Sequence, residues 1–190
     1  RSSYFKTAFN GLPNDHQVIV DKMPFNCLNI GLAQYLLPEA KFLFMMRHPL
    51  DVGLSNYSTI FGDSNEFAAR LPWIGLMTRE VYRSAEDYAE KLGDQMRMQS
   101  YRALVETPEQ QIRDLVDHAG LPWQEACLSP EQGNGTVRTA STLQVRRKIN
   151  TKGLDRWKAC EKQLQPLTDA LGGQDWLRHW QDRDRTAAFT

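Results

Sequence analysis

The run KFLFMMRHPLDVGLS, Lys41 to Ser55, constrains the fold of this chain more than any other segment. Five consecutive apolar residues, Phe42 to Met46, fit a strand covered on both faces, as in a parallel sheet. Arg47 and His48 follow, and then Pro49, which suits the first turn of a helix because its missing N–H would be unpaired there anyway. Leu50, Gly53, Leu54, Tyr57 and Phe61 recur at helical spacing and predict the buried stripe. Asp51, Ser55 and Thr59 fall on a neighbouring polar face at i, i+4 and i+8. A strand that turns into a helix presents free N–H groups and a positive dipole end to an anion. Arg47 stands at that turn, where its guanidinium can grip a phosphate bidentately. Ser55, in the second turn of the helix, places a hydroxyl within reach of the same anion. The plainer reading is an Arg47–Asp51 pair and an ordinary polar serine; an Arg-x7-Ser spacing gains its meaning only from the strand-to-helix junction.

The remaining elements predict an α/β order. Gln17 to Asp21 reads as a strand, and Pro24 opens a helix whose core face carries Leu28, Leu32, Tyr35 and Leu36. A helix is predicted over Met77 to Leu92, stopped by Gly93, and a strand over Gln95 to Tyr101. Thr107-Pro108 with Gln110 spells a capping box, and that helix should end at Gly120. Leu154 to Leu171 and Gln174 to Arg183 read as helices separated by Gly172-Gly173. This order implies a short parallel sheet with right-handed crossovers, in which ligands bind beyond the carboxyl ends of strands. Lys22, Arg47 and Tyr101 fall at or just past such ends. A lysine in the position of Lys22 can neutralise charge on a group in transfer.

Composition narrows the function classes. The chain has 190 residues, 41% hydrophobic and 24% charged, which suits one globular domain spanning 1–190. Lys plus Arg and Asp plus Glu both total 23. That balance argues against a nucleic acid or an anionic membrane as the main partner. No apolar run approaches the roughly 20 residues of a membrane span. Cys27, Cys127 and Cys160 are odd in number and widely separated, which favours a reducing, cytoplasmic setting over a disulfide framework. His16, His48, His118 and His179 lack metal-ligand spacing, so no metal is expected. The five tryptophans, Trp73, Trp123, Trp157, Trp176 and Trp180, read as packing residues. Arg146, Arg147 and Lys148 form a short basic strip.

Several segments in order resemble the sulfotransferases that use 3′-phosphoadenosine 5′-phosphosulfate (PAPS). VDKMPFNCLNIGLAQYLLPEAKFLFMMRHPLDVGLSNY is most similar to the bacterial type often joined to tetratricopeptide repeats, a relative of the tyrosylprotein sulfotransferases. SYRALVETPEQQIRDLVDHAGLPW and VRTASTLQVRRKINTKGLDRWKAC look like later stretches of the same family, so the resemblance runs from about Val18 to Leu171. It implies a P-loop-NTPase-like parallel sheet flanked by helices. It also implies that Arg47 and Ser55 bind the 3′-phosphate of PAPS or of its product PAP, and that Lys22 contacts the sulfuryl group. Tyr101, Ser141 and Arg156 would approach the nucleotide. Two departures stand out: the family's glutamate after the tyrosine is Arg102 here, and its usual arginine-aspartate pair is Arg47-His48.

A glycine-rich, P-loop-like turn for the 5′-phosphosulfate is expected before the lysine strand, and only about 17 residues stand there. No starting Met is present. The reading is therefore of a carboxyl-side portion in which the amino-terminal strand, P-loop and catalytic base are missing; His16 and Asp15 are weak substitutes for the base. Such a portion should be inactive alone, and its exposed sheet edge should invite pairing with a second copy. The complete enzyme would transfer a sulfuryl group to a hydroxyl or amine on a small-molecule, peptide or carbohydrate acceptor. Two alternatives remain open: a non-catalytic nucleotide- or partner-binding module, and a P-loop kinase relative, the latter weakened by the absence of G-x-x-x-x-G-K-[ST].

Overall fold

A computed structural model describes residues 18–59, 61, 65–133 and 147–185, together with the backbone of 188–189. Its centre is a three-stranded sheet in the order β1-β2-β3. Strand β1 (Phe42–Met46) runs parallel to β2 (Met96–Ser100), with Phe42 opposite Met96 and Met46 opposite Ser100. Strand β3 (Ala188–Phe189), which the sequence pattern does not announce, pairs antiparallel with β2. The chain is thus a helix-rich α/β structure around a small mixed sheet. Among the described residues, the outer edge of β1 has no partner.

Seven α-helices surround it among the described residues: α1 (Ile30–Leu36), α2 (Pro49–Tyr57), α3 (Leu71–Leu92), α4 (Tyr101–Glu106), α5 (Pro108–His118), α6 (Gln165–Leu171) and α7 (Gly173–Asp184). Helix α3 is the spine. It packs on β2, on α2 and most extensively on α6. The last contact depends on Gly75, where a Cβ would come within 2.6 Å of the Ala170 side chain and 3.0 Å of the Leu167 carbonyl. One buried cluster joins the sheet to α3 and α7 through Met46, Met96, Met98, Tyr82, Ala85 and Trp180. A second joins α2, α3, α6 and α7 through Leu50, Ile74, Leu164, Leu167, Leu171 and Leu177.

Several sequence expectations are corrected. Val18 to Asp21, the described part of the expected first strand, has no regular structure, and Val20 is 83% exposed. A β-branched run becomes a strand only when a ladder partner and an apolar cover accept it, and none of the described strands pairs with this one. After Pro24, residues Pro24–Asn29 form a 3-10 helix, and α1 begins only at Ile30. Three residues per turn bring Cys27 and Ile30 onto one face, so these two are buried while Leu28, Leu32 and Tyr35 stay exposed.

Strand β1 is covered on one face only: Met46 is buried, and Leu43 and Met45 on the opposite side are 50% and 40% exposed. On α2, Leu50 and Gly53 are buried as the spacing implies, whereas Tyr57 is exposed and Asp51 is buried in its place; Phe61 lies beyond the end of the helix and is exposed. Thr107 makes no capping bond to α5, because α4 runs up to Glu106 and the Thr107 hydroxyl donates to the Ala103 carbonyl at 3.0 Å. The expected helix from Leu154 starts instead as two 3-10 turns, Arg156–Cys160 and Lys162–Leu164, before α6. Gly93 and Gly120 end their helices as expected, both at positive φ.

Candidate functional site

The carboxyl ends of β1 and β2 lie side by side, and each feeds directly into a helix. The turn after β1 is fixed from both sides. Tyr82, buried on α3, accepts a hydrogen bond from the Arg47 N–H at 3.2 Å and donates its hydroxyl proton to the Arg47 carbonyl. Burial pushes the Tyr82 phenol well above its ordinary pKa, so it remains a donor. His48 is the N-cap of α2, its Nδ1 accepting from the Leu50 N–H at 3.3 Å. That role requires a neutral ring with its proton on Nε2. Burial supplies the neutrality, holding the His48 pKa down at about 4. The ring also stacks on Trp157, with centroids 4.7 Å apart and planes 9° from parallel.

The Arg47 side chain meets two other segments here. Its Nη2 donates to the Gly153 carbonyl, and its guanidinium lies 5.1 Å from the centroid of the Tyr101 ring at the start of α4. Its Nε is buried without a hydrogen-bond partner. The Arg47–Asp51 separation is 3.9 Å, too long for a direct hydrogen bond. The Asp51 carboxylate spends its oxygens elsewhere, accepting from the Asp155 N–H at 2.9 Å and the Trp157 N–H at 3.1 Å. Gly153 sits so close to Tyr101 that a Cβ there would come within 2.7 Å of the phenol oxygen.

A charged network backs this arrangement. Arg102 pairs with Asp155 at 2.6 Å, with Glu106 at 3.3 Å and with the buried Asp184 at 3.5 Å. Burial raises the pKa of Asp184, against the pull of Arg102 and the bond donated by Ser100. Ser100 also accepts from the Ala103 N–H at 3.1 Å, and so caps α4. Asp155 has φ of +56°, the one described residue other than glycine in that region. Such a conformation costs roughly 1–3 kcal/mol and persists only where its surroundings enforce it.

The structure therefore brings Arg47, Tyr101 and the segment carrying Arg156 together. Ser55 lies on α2 one turn beyond Asp51, half-buried, and its hydroxyl makes no hydrogen bond among the described residues. Arg156 is exposed and likewise without an ion pair there. Lys22 is exposed, follows no strand among the described residues, and makes no hydrogen bond or ion pair among them. Ser141 lies outside the described residues, as does Arg146. A cleft of about 360 Å³ between the start of α5 and residues Leu128 to Gln132 contains none of the site residues. Glu109 and Glu131 line it beside Lys148, a poor setting for a phosphate. The sequence pattern misses Tyr82 and offers Asp51 only as a partner for Arg47, although both hold the site; Arg102 was signalled only as a departure from the resemblance.

The donor set at the strand ends suits a phosphate. Arg47 has one guanidinium nitrogen without a partner there, and the nearby carboxylate of Asp51 already has its oxygens on backbone N–H groups. No group of three or more His, Cys, Asp or Glu among the described residues is placed to hold a metal ion. No helix among them is long and apolar enough to cross a membrane.

The profile described as "Sulfotransferase family" matches residues 1–125. An "Uncharacterized protein" of Aquifex aeolicus (strain VF5) is 33% identical over 173 residues, covering 90% of this chain. The chain spans 23% of that relative's length. The chain belongs to the sulfotransferase family, a family of transferase enzymes.

Proposed function

We propose that this chain contributes the 3′-phosphate half of a PAPS site and serves sulfuryl transfer to a hydroxyl or amine. The observation that carries the reading is Arg47: its backbone is pinned by Tyr82 at the carboxyl end of β1 and its Nε is buried and unpaired, while Ser55, further along α2, has a hydroxyl unengaged among the described residues. PAPS supplies the activated sulfuryl group and leaves as PAP. On the protein side, Arg47 and Ser55 hold the 3′-phosphate, and Arg156 adds a second cation. Tyr101 supports Arg47 through its ring face, a contact worth about 0.5–2 kcal/mol. Lys22 is proposed for charge on the transferring group, by family resemblance alone. Positioning and charge stabilisation would dominate, as in phosphoryl transfer.

An incoming phosphate competes with the Gly153 carbonyl for Arg47. Binding should therefore be read with the product nucleotide, whose 3′-phosphate can be removed as a control. Adenosine 3′,5′-bisphosphate is expected to bind the full chain at least tenfold more tightly than adenosine 5′-monophosphate. Equal affinity for the two would contradict a 3′-phosphate site.

A further inference from the structure

The buried carboxylate of Asp51 does more than accompany Arg47. Its side chain is 1% exposed, and its oxygens accept from the Asp155 and Trp157 N–H groups, 104 and 106 residues away in sequence. The first N–H groups of any helical turn lack intrahelical acceptors. Asp51 supplies those acceptors to the 3-10 turn Arg156–Cys160 from another helix. The turn needs holding, since Asp155 enters it in the left-handed region and has no cap of its own. Arg102 and Lys158 hold the Asp155 carboxylate at 2.6 and 3.0 Å, and Asp51 holds its backbone. Between the two residues anchored by Asp51 stands Arg156, exposed and unpaired among the described residues.

We propose that Asp51 is a positioning residue for nucleotide binding: it clamps the backbone on both sides of Arg156 and so sets that guanidinium beside the phosphate held by Arg47 and Ser55. The inference rests on the phosphate-site reading above. Asp51 acts through the backbone rather than on the ligand, because its oxygens are occupied by N–H donors. The same two bonds offset its negative charge one helical turn from Arg47, where a bare carboxylate would repel a phosphate.

Two measurements on the full chain test this. Asp51→Asn keeps the side-chain size and one acceptor but presents an NH₂ group to the other N–H. Hydrogen exchange should show the Asp155 and Trp157 amides losing protection in this variant, with the β2 amides unchanged. Calorimetry with adenosine 3′,5′-bisphosphate is then run on wild type, Asp51→Asn, Arg156→Ala and the double variant. Each single change should weaken binding by about tenfold, and the double variant by no more than about tenfold, the non-additivity of residues that act as one unit. Asp51→Glu, which keeps the charge but displaces it, is the second variant and should couple to Arg156 in the same way. Full additivity, or unchanged amide protection in Asp51→Asn, would overturn the positioning role. A wild type that binds no nucleotide would instead overturn the phosphate-site reading, and with it the service to Arg156, while the amide arm still reports on the clamp.

Discussion

The Tyr82 hydroxyl engages both backbone polar groups of Arg47, accepting from its N–H at 3.2 Å and donating to its carbonyl. One side chain of α3 thereby fixes the peptide from which the candidate phosphate-binding arginine projects. Tyr82→Phe keeps the ring and its edge-on packing against Phe44 and Trp180 but leaves both Arg47 groups unpaired. The variant is expected to lose about 1–3 kcal/mol in urea unfolding and to weaken nucleotide binding as well. An unchanged midpoint with unchanged affinity would show that the turn is held by other means.

Arg102 should matter to stability more than its partly exposed position suggests. Arg102→Gln removes the cation facing Asp155, Glu106 and the buried Asp184. Breaking one side of a buried pair typically costs about 3–5 kcal/mol. Because Arg102 is itself partly solvated, the lower end of that range is expected, read as a fall in the chemical denaturation midpoint.

His48 gives the fold an acid sensitivity. Its folded-state pKa of about 4 lies below the ordinary value of 6.5, so between those limits the unfolded chain binds the proton more readily. The stability tied to a neutral His48 is complete above the ordinary value and falls as pH drops towards about 4, by roughly 3 kcal/mol in all. His48→Asn retains a capping acceptor and cannot titrate. The difference in unfolding free energy between wild type and this variant should therefore shrink as pH falls from 7 to 4. A difference that stays constant with pH would show that His48 does not titrate in that range.

Gly153→Ala tests how closely the 153 segment approaches the site. The added Cβ would lie 2.7 Å from the Tyr101 phenol oxygen, so Tyr101 or the segment has to move. A loss of about 1–3 kcal/mol in thermal or urea unfolding is expected, in the range for overpacked sites. A fully neutral substitution would mean the contact relaxes without cost.

The structure follows several local signals of the sequence. Pro49 opens α2, Gly93 and Gly120 stop their helices, and the apolar run of Phe42–Met46 forms a strand parallel to Met96–Ser100. What it could not carry was contact between distant segments. Asp51 reads as a polar-face residue by helical spacing, and its burial follows only from two N–H groups more than a hundred residues later. Val18 to Asp21 has the composition of a strand, yet composition does not supply a ladder partner. The stripe Leu28, Leu32 and Tyr35 fails because six residues of 3-10 geometry change the period that the spacing assumed. Arg47 and Tyr101 were legible as strand-end residues; their contact was not, because it depends on how β1 and β2 register.

Arg47 is the proposed anchor of the 3′-phosphate site. Isothermal titration of adenosine 3′,5′-bisphosphate into wild type and Arg47→Ala tests it most directly, with circular dichroism confirming that both are folded. Saturable binding by the wild type is expected, with a loss of at least about tenfold in the variant, in line with a charge-assisted contact of about 1.5–3 kcal/mol. Equal binding by the two proteins, or none by the wild type, would contradict it.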